Sequence, residues 1–474
     1  MIRYLTSVCT GLFFFAGIAG AQPKLPDTPQ GKIVQAYLEA FNSGDEAKMK
    51  DFFLQNVSKE GLAVRPLEAR LARTKEIQGD VKSLTVDKIL TASDKTISLL
   101  AKSGRGETLT LTFEFEPNAP PKFGALRIEM GEAQAVASGP PLKRDEFVAA
   151  VGQFLDARVK DDRFSGAVLV ARGTEILFKK AFGFAEKRFG VPNRTDTKFN
   201  LGSINKFFTR LAVAQLAEQG KLSLGDPVIK YLSDYPNRQA AEKIKISQLL
   251  DMTSGLGDFF GDKFDGTPKD KIRSLRDYLP FFINDPLLFE PGADRRYSNA
   301  GYIVLGLVIE KLSGQDYYSY VRERIFKPAA MPDTDSYEMD AVTPSLATGY
   351  RRPNQGSTGW VSNVYTAPAR GSSAGGGYST VEDLFAFLQA LRNGKLLTAK
   401  YLSWMLTGDI PASDPALPLA QGAIGIAGGA EGINGDVEFD AKNGDAVIVL
   451  GNYGPPAAME VAAQLRGLLK RLIG

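Results

Sequence analysis

Beyond Cys9 the chain has no cysteine, and nowhere in its 474 residues is there a histidine. Whatever fold it adopts past residue 9 therefore has no disulfide staple and none of the soft ligands of a structural zinc site. Buried apolar surface must hold it together. The composition provides for that, with 44% hydrophobic residues and Gly and Pro at globular levels. The length exceeds one ordinary domain, so two are expected. Net charge is +3 with no dense Lys/Arg block, which argues against nucleic acid as a partner. No metal and no cofactor is expected.

The chain opens MIRYLTSVCTGLFFFAGIAGAQPK. Arg3 gives a positive start, Leu12 to Ile18 an apolar stretch, and Ala19-Gly20-Ala21 an A-x-A cleavage pattern. Residues 1–21 are therefore expected to be a signal peptide, with the mature chain beginning at Gln22. The apolar run is too short for a stable membrane anchor. The expected localisation is exported, periplasmic or secreted, and cleavage would remove the lone cysteine.

Residues 28–132 read as a small α+β domain. Thr28 and Pro29 start a helix whose Ile33, Tyr37, Leu38 and Phe41 share one face. Four strand-like stretches follow, and the third, ETLTLTFEFE, alternates as a sheet with one wet face would. Residues 133–144 are Gly/Pro-containing and read as a linker. Residues 145–474 begin with a hairpin pattern, FSGAVLVARGTEILFKKAFGFA, with Arg172-Gly173 at its turn. A helix-rich middle, a further strand pair and a closing amphipathic helix suggest an α/β sandwich with an inserted helical region.

Three serine motifs compete for the chemistry. The G-x-S-x-G match GSSAG at 371–375 would need an imidazole to accept the serine proton, and the chain has none. That stretch reads instead as a glycine-rich loop entering a helix at Ser379 or Thr380. A serine–lysine pair needs no imidazole, and Ser203 and Lys206 stand at i and i+3 in the chain's only S-x-x-K. A helix-capping serine is the competing explanation. Tyr297-Ser298-Asn299 adds a phenol that can share protons with an amine and an amide that can hold a substrate. Tyr235-Pro236-Asn237 also matches Y-x-N and is the poorer candidate.

The stretches FSGAVLVARG, FNLGSINKFFT, LLDMTSGL, FEPGADRRYSNAGYIVLG and SAGGGYSTVEDL, in that order, carry a resemblance. From about Arg144 onward the chain resembles the serine β-lactamase and penicillin-binding superfamily, and within it the class C-like serine hydrolases. These include β-lactamases, D-amino-acid peptidases and esterases. The resemblance implies an α/β fold: a transpeptidase-like antiparallel sheet flanked by helices, with a helical subdomain. The helices and sheet of residues 28–132 resemble the NTF2-like cone fold.

By the same resemblance Ser203 is the acylated nucleophile, Lys206 and Tyr297 are the proton-transfer pair, and Asn299 orients the acyl side chain. The implied partner is a small ester, amide or β-lactam substrate. Gly428 and Gly429 occupy the family's third motif, with the Gly429 N–H a second oxyanion donor beside that of Ser203. Ile426 stands where relatives carry Lys or His, and Met252 where many carry His. Without a cation at 426, attraction for a substrate carboxylate weakens. Esterase-like turnover is therefore expected over efficient β-lactam cleavage. The alternative is a penicillin-fold binding protein with impaired turnover.

Overall fold

The computed structural model describes residues 23–64, 66–104, 108–116, 120–130, 139–353, 359–407 and 423–473. The expected signal peptide and half of the expected linker lie outside the described residues. The chain divides into two compact units, Met1–Glu129 and Met130–Gly474.

In the first unit, helices α1 (Pro29–Ser43), α2 (Glu46–Asn56), α3 (Lys59–Val64) and α4 (Leu67–Val81) precede a meander. Its strands are β1 (Leu84–Ala92), β2 (Thr96–Ser103), β3 (Thr108–Glu116) and β4 (Lys122–Met130), paired in that order. Thr28 caps α1 by accepting from the Gly31 N–H, and Pro29 occupies the first turn, where its missing N–H is not needed. The buried face of α1 puts Tyr37 edge-on to Phe52 and Phe113, each at 5.4 Å between ring centres. The wet face expected of β3 is not seen. Thr110 and Thr112 are buried along with Leu109, Leu111 and Phe113. Polar positions are tolerated there because hydroxyls pair across strands, Ser98 with Thr112 at 3.1 Å.

The second unit starts with α5 (Arg144–Lys160) and the hairpin β5 (Gly166–Arg172) and β6 (Glu175–Phe182). Arg172 still pairs with Glu175, so the turn is Gly173-Thr174 rather than Arg172-Gly173, and Gly173 takes the positive φ of 62° that such a turn requires. Late in the chain come β7 (Ala423–Ala430), β8 (Ile433–Asp440) and β9 (Ala446–Gly451), then α9 (Ala457–Leu469). The antiparallel sheet runs β7-β8-β9-β5-β6, so the early and late parts of this unit meet where β9 pairs β5.

Between these halves lies the helical region, including α6 (Asn205–Glu218), α7 (Asn299–Ser313) and α8 (Val381–Arg392). This is the expected architecture of an antiparallel sheet flanked by helices. It explains why β5 reads as an unbroken apolar run, since both of its faces are covered. Val168 and Val170 pack with Phe147, Val151 and Leu155 of α5 and with Val461 and Leu465 of α9. Leu169 and Ala171 join the larger core around α6. Except for Arg210 and Glu218, every residue of α6 is buried.

One buried charge ties the two outer helices together. The Glu460 carboxylate, 6% exposed, receives Arg158 at 2.7 Å and Arg163 at 3.1 Å. Glu460→Ala strands a partly buried guanidinium on α5 and is expected to cost about 2 kcal/mol. An unchanged urea midpoint would show that solvent carries both arginines.

Candidate active site

A turn of 3-10 helix, Gly202–Ile204, leads directly into α6 and carries Ser203 at the edge of the core. Gly202 has φ +49°, and a Cβ there would stand 3.0 Å from the Gly429 nitrogen. Only glycine meets both demands. The Asn200 side chain accepts from the Gly202 N–H at 2.9 Å. The glycine-rich loop braces the turn from its other side: Leu201 N–H donates to the Gly377 carbonyl at 2.7 Å, and Gly376 N–H to that of Gly202 at 3.3 Å. The stretch GSSAGGG is thus a support for the Ser203 turn. Its Ser373 is fully buried, with the hydroxyl donating to the Tyr302 carbonyl. Thr380 caps α8, as one of the two expected starts.

Ser203 does not cap the helix; the capping position is Ile204, which makes no side-chain cap bond. Its Oγ lies 3.0 Å from Lys206 Nζ and 2.7 Å from the Tyr297 hydroxyl. One helical turn places the amine beneath the serine. The amine also donates to Asn299 Oδ1 at 2.6 Å and to the Ala374 carbonyl at 2.5 Å. It lies over the faces of Tyr297 and Tyr302, 4.9 Å and 5.5 Å from the ring centres.

Tyr297 and Asn299 reach the same amine because of the residue between them. Ser298 is extended (φ −140°, ψ 112°), so its two neighbours point to one side. Its own side chain points away and caps α7, accepting from the Gly301 N–H at 3.0 Å and donating to the Gly257 carbonyl at 2.7 Å. The Y-x-N spacing thus reduces to an N-cap with a functional group on either side. The other match lacks this setting: Tyr235 is buried and Asn237 caps a short helix.

Strand β7 closes the group. A Cβ on Gly428 would fall 2.1 Å from the Leu201 carbonyl oxygen and 2.9 Å from the Ser203 nitrogen. The backbone of β7 therefore lies directly against the Ser203 turn. Ile426, on the same strand face, pairs with Val437 and packs against the main core. Met252, at φ +63°, follows the Asp251 cap of a short helix and also packs against that core. Neither position presents a cation.

Electrostatics separates the amine from the phenol. Burial lowers the Lys206 pKa from 10.5 to about 7, with the Asp258 carboxylate opposing the shift. Burial raises the Tyr297 pKa, the Ser203 hydrogen bond opposes this, and Asp258 adds to the rise. Tyr297 as a residue is 48% exposed, while its hydroxyl lies against Ser203 Oγ. At neutral pH, then, the amine is the group that can lose a proton and the phenol keeps its own. Two contributors escaped the sequence reading. Asp258 has no motif of its own, and the Ala374 carbonyl is a backbone group that no residue pattern reveals.

The Lys206 shift carries a stability signature. Between pH about 7 and 10.5 the unfolded chain binds a proton that the folded chain does not, so folding gains as pH rises. The stability of the wild type relative to Lys206→Met is expected to be flat below pH 7 and to climb above it. Urea titrations of both proteins from pH 6 to about 10 test this, and parallel curves would refute it.

Comparison with known proteins identifies the fold. Residues 149–466 match the Beta-lactamase family. Over 295 residues the chain is 30% identical to PbpX of Bacillus subtilis, which is named as a penicillin-binding protein. That alignment covers 62% of this chain and 72% of the relative. The structure of a penicillin binding protein from Bacillus halodurans superposes with TM-score 0.58 and 32% identity, covering 65% of this chain and 97% of that one. The D-amino acid amidase of Ochrobactrum anthropi SV3 shares the fold at TM-score 0.57 and 24% identity, covering 69% and 98%. With so much of its length matched, and a serine hydroxyl held between an amine and a phenol, the chain belongs to the Beta-lactamase family and is a serine acyl hydrolase.

Proposed function

We propose that the protein is an exported hydrolase that cleaves small esters through an acyl-Ser203 intermediate, with amides and β-lactams as poorer substrates. The observation that carries this is the Lys206 amine, with a pKa near 7, 3.0 Å from the Ser203 hydroxyl. In the proposed cycle neutral Lys206 takes the Ser203 proton as Oγ attacks the acyl carbon. The N–H groups of Ser203 and Gly429 hold the developing oxyanion. Tyr297, still protonated, passes the proton to the leaving alcohol and is reprotonated by Lys206. Water then enters, loses its proton to the same pair and releases the acid, restoring Ser203. Asn299 retains one amide hydrogen for a substrate carbonyl.

Ile426 supports the preference for esters. An apolar side chain offers nothing to the carboxylate of a penicillin or a peptide C-terminus, whereas an ester brings a good leaving group and needs less assistance. The same residue favours a second reading, in which acyl-Ser203 forms and is not released. Export rests on the A-x-A pattern before Gln22. An NTF2-like character for the first unit is supported by its helices preceding a meander with an aromatic core.

A fluorophosphonate is expected to label Ser203, and kcat/KM for a short-chain ester to rise through an acidic limb near pH 7. Ser203→Ala should abolish both. Absence of label and of turnover in the wild type would refute the proposal, and a burst without steady turnover would select the second reading. Ile426→His or Ile426→Lys should raise kcat/KM severalfold, and no change would make that position merely structural. Gly428→Ala, which forces a Cβ onto the nucleophile turn, should lower kcat at least about 100-fold. Unaltered turnover would show that β7 takes no part.

A further inference from the structure

We propose that Asp258 is a positioning residue: it fixes which end of the Asn299 amide faces Lys206 and supplies the anionic counterpart of that amine. The inference deepens the acyl-Ser203 reading and rests on it.

An amide has two unlike ends, and Lys206 as a donor is served only by the oxygen. Asn299 Oδ1 accepts from Lys206 Nζ at 2.6 Å, while Asn299 Nδ2 donates to Asp258 Oδ2 at 2.8 Å. A carboxylate can only accept, so it rejects the flipped amide. The backbone N–H of Asn299 points to the same oxygen at 3.4 Å, which sets the carboxylate at the first turn of α7, where a negative charge is favoured. The other oxygen, Oδ1, accepts from the Phe260 N–H at 3.2 Å, and the adjoining Gly257 carbonyl is held by Ser298 at 2.7 Å. Both carboxylate oxygens and the preceding backbone are thus engaged, and the side chain is locked before any substrate arrives. The amine, the amide and the acid form one relay: Lys206, Asn299, Asp258.

The titratable neighbours of the amine are few. Tyr297 and Tyr302 present their ring faces to it, and Asp258 acts on it as a charge. Arg210 and Asp251 lie one step further, acting on Tyr302. Asp258 is thus the anion whose loss the amine would register. Its effect has a definite sign. A nearby negative charge favours the ammonium, so removing it makes Lys206 easier to deprotonate.

Two substitutions probe the residue to different depths. Asp258→Asn removes the charge and leaves one oxygen that can still accept from Asn299 Nδ2. The acidic limb of kcat/KM, and of fluorophosphonate labelling at Ser203, is expected to move to lower pH. Asp258→Ala removes both functions, and its plateau is expected to fall about 10- to 100-fold. An acidic limb that stays in place in Asp258→Asn, whose thermal melt reports its fold, overturns the proposal even if Asp258→Ala fails to fold. A wild type that neither labels nor turns over ends the acyl-Ser203 reading and this inference with it. A wild type that labels while Asp258→Asn behaves identically ends the inference alone.

Discussion

A primary amine at the head of a helix that is otherwise core is the constraint on which the site depends. Lys206 belongs to α6, whose flanks are Phe207, Phe208, Leu211 and Ala212. A buried ammonium is unfavourable in such surroundings unless every proton finds an acceptor. Three acceptors meet it: Ser203 Oγ, Asn299 Oδ1 and the Ala374 carbonyl. They come from the turn before α6, the first residue of α7 and the glycine-rich loop. The same burial that makes the lysine expensive to charge lowers its pKa to about 7, so stability is spent on what the proposed cycle needs as a base.

Backbone proximity is the second condition. Gly202, Gly428 and Gly375 lie where a methyl group would strike the neighbouring main chain: a Cβ on Gly375 would sit 3.1 Å from the Gly202 carbonyl. The Ser203 turn is therefore clasped between the backbones of strand β7 and the loop. Such contact leaves the turn little freedom to relax, which is what the proposed oxyanion donors would require. It also accounts for the glycine density of GSSAGGG, which looks like a nucleophile elbow in the sequence and acts as a brace in the structure.

Much of the fold was legible because local rules governed it. Thr28-Pro29 starts α1, the hairpin β5–β6 turns on a glycine, and the apolar helix of Asn299–Ser313 follows a serine cap, each through contacts within a few residues. The turn slipped by one residue, to Gly173-Thr174, because Arg172 pairs across the strands before the chain reverses. The wet face of β3 failed for a different reason. Alternation reports chemical type along one strand, and burial depends on what lies on the other side of the sheet.

At the site, residue spacing by itself determined that Ser203 and Lys206 share a helical face, that Tyr297 and Asn299 flank one position, and that no imidazole takes part. Those statements need only a helical period, an extended residue and a census of the chain. Only the tertiary structure decided that Ser203 and Tyr297, 94 positions apart, close to a 2.7 Å contact, that Asp258 stands behind Asn299, and that a carbonyl of the loop completes the amine's shell. The reason is physical. Hydrogen bonds between distant segments depend on how helices and strands pack around a common core, and a backbone carbonyl leaves no mark in the residue it belongs to.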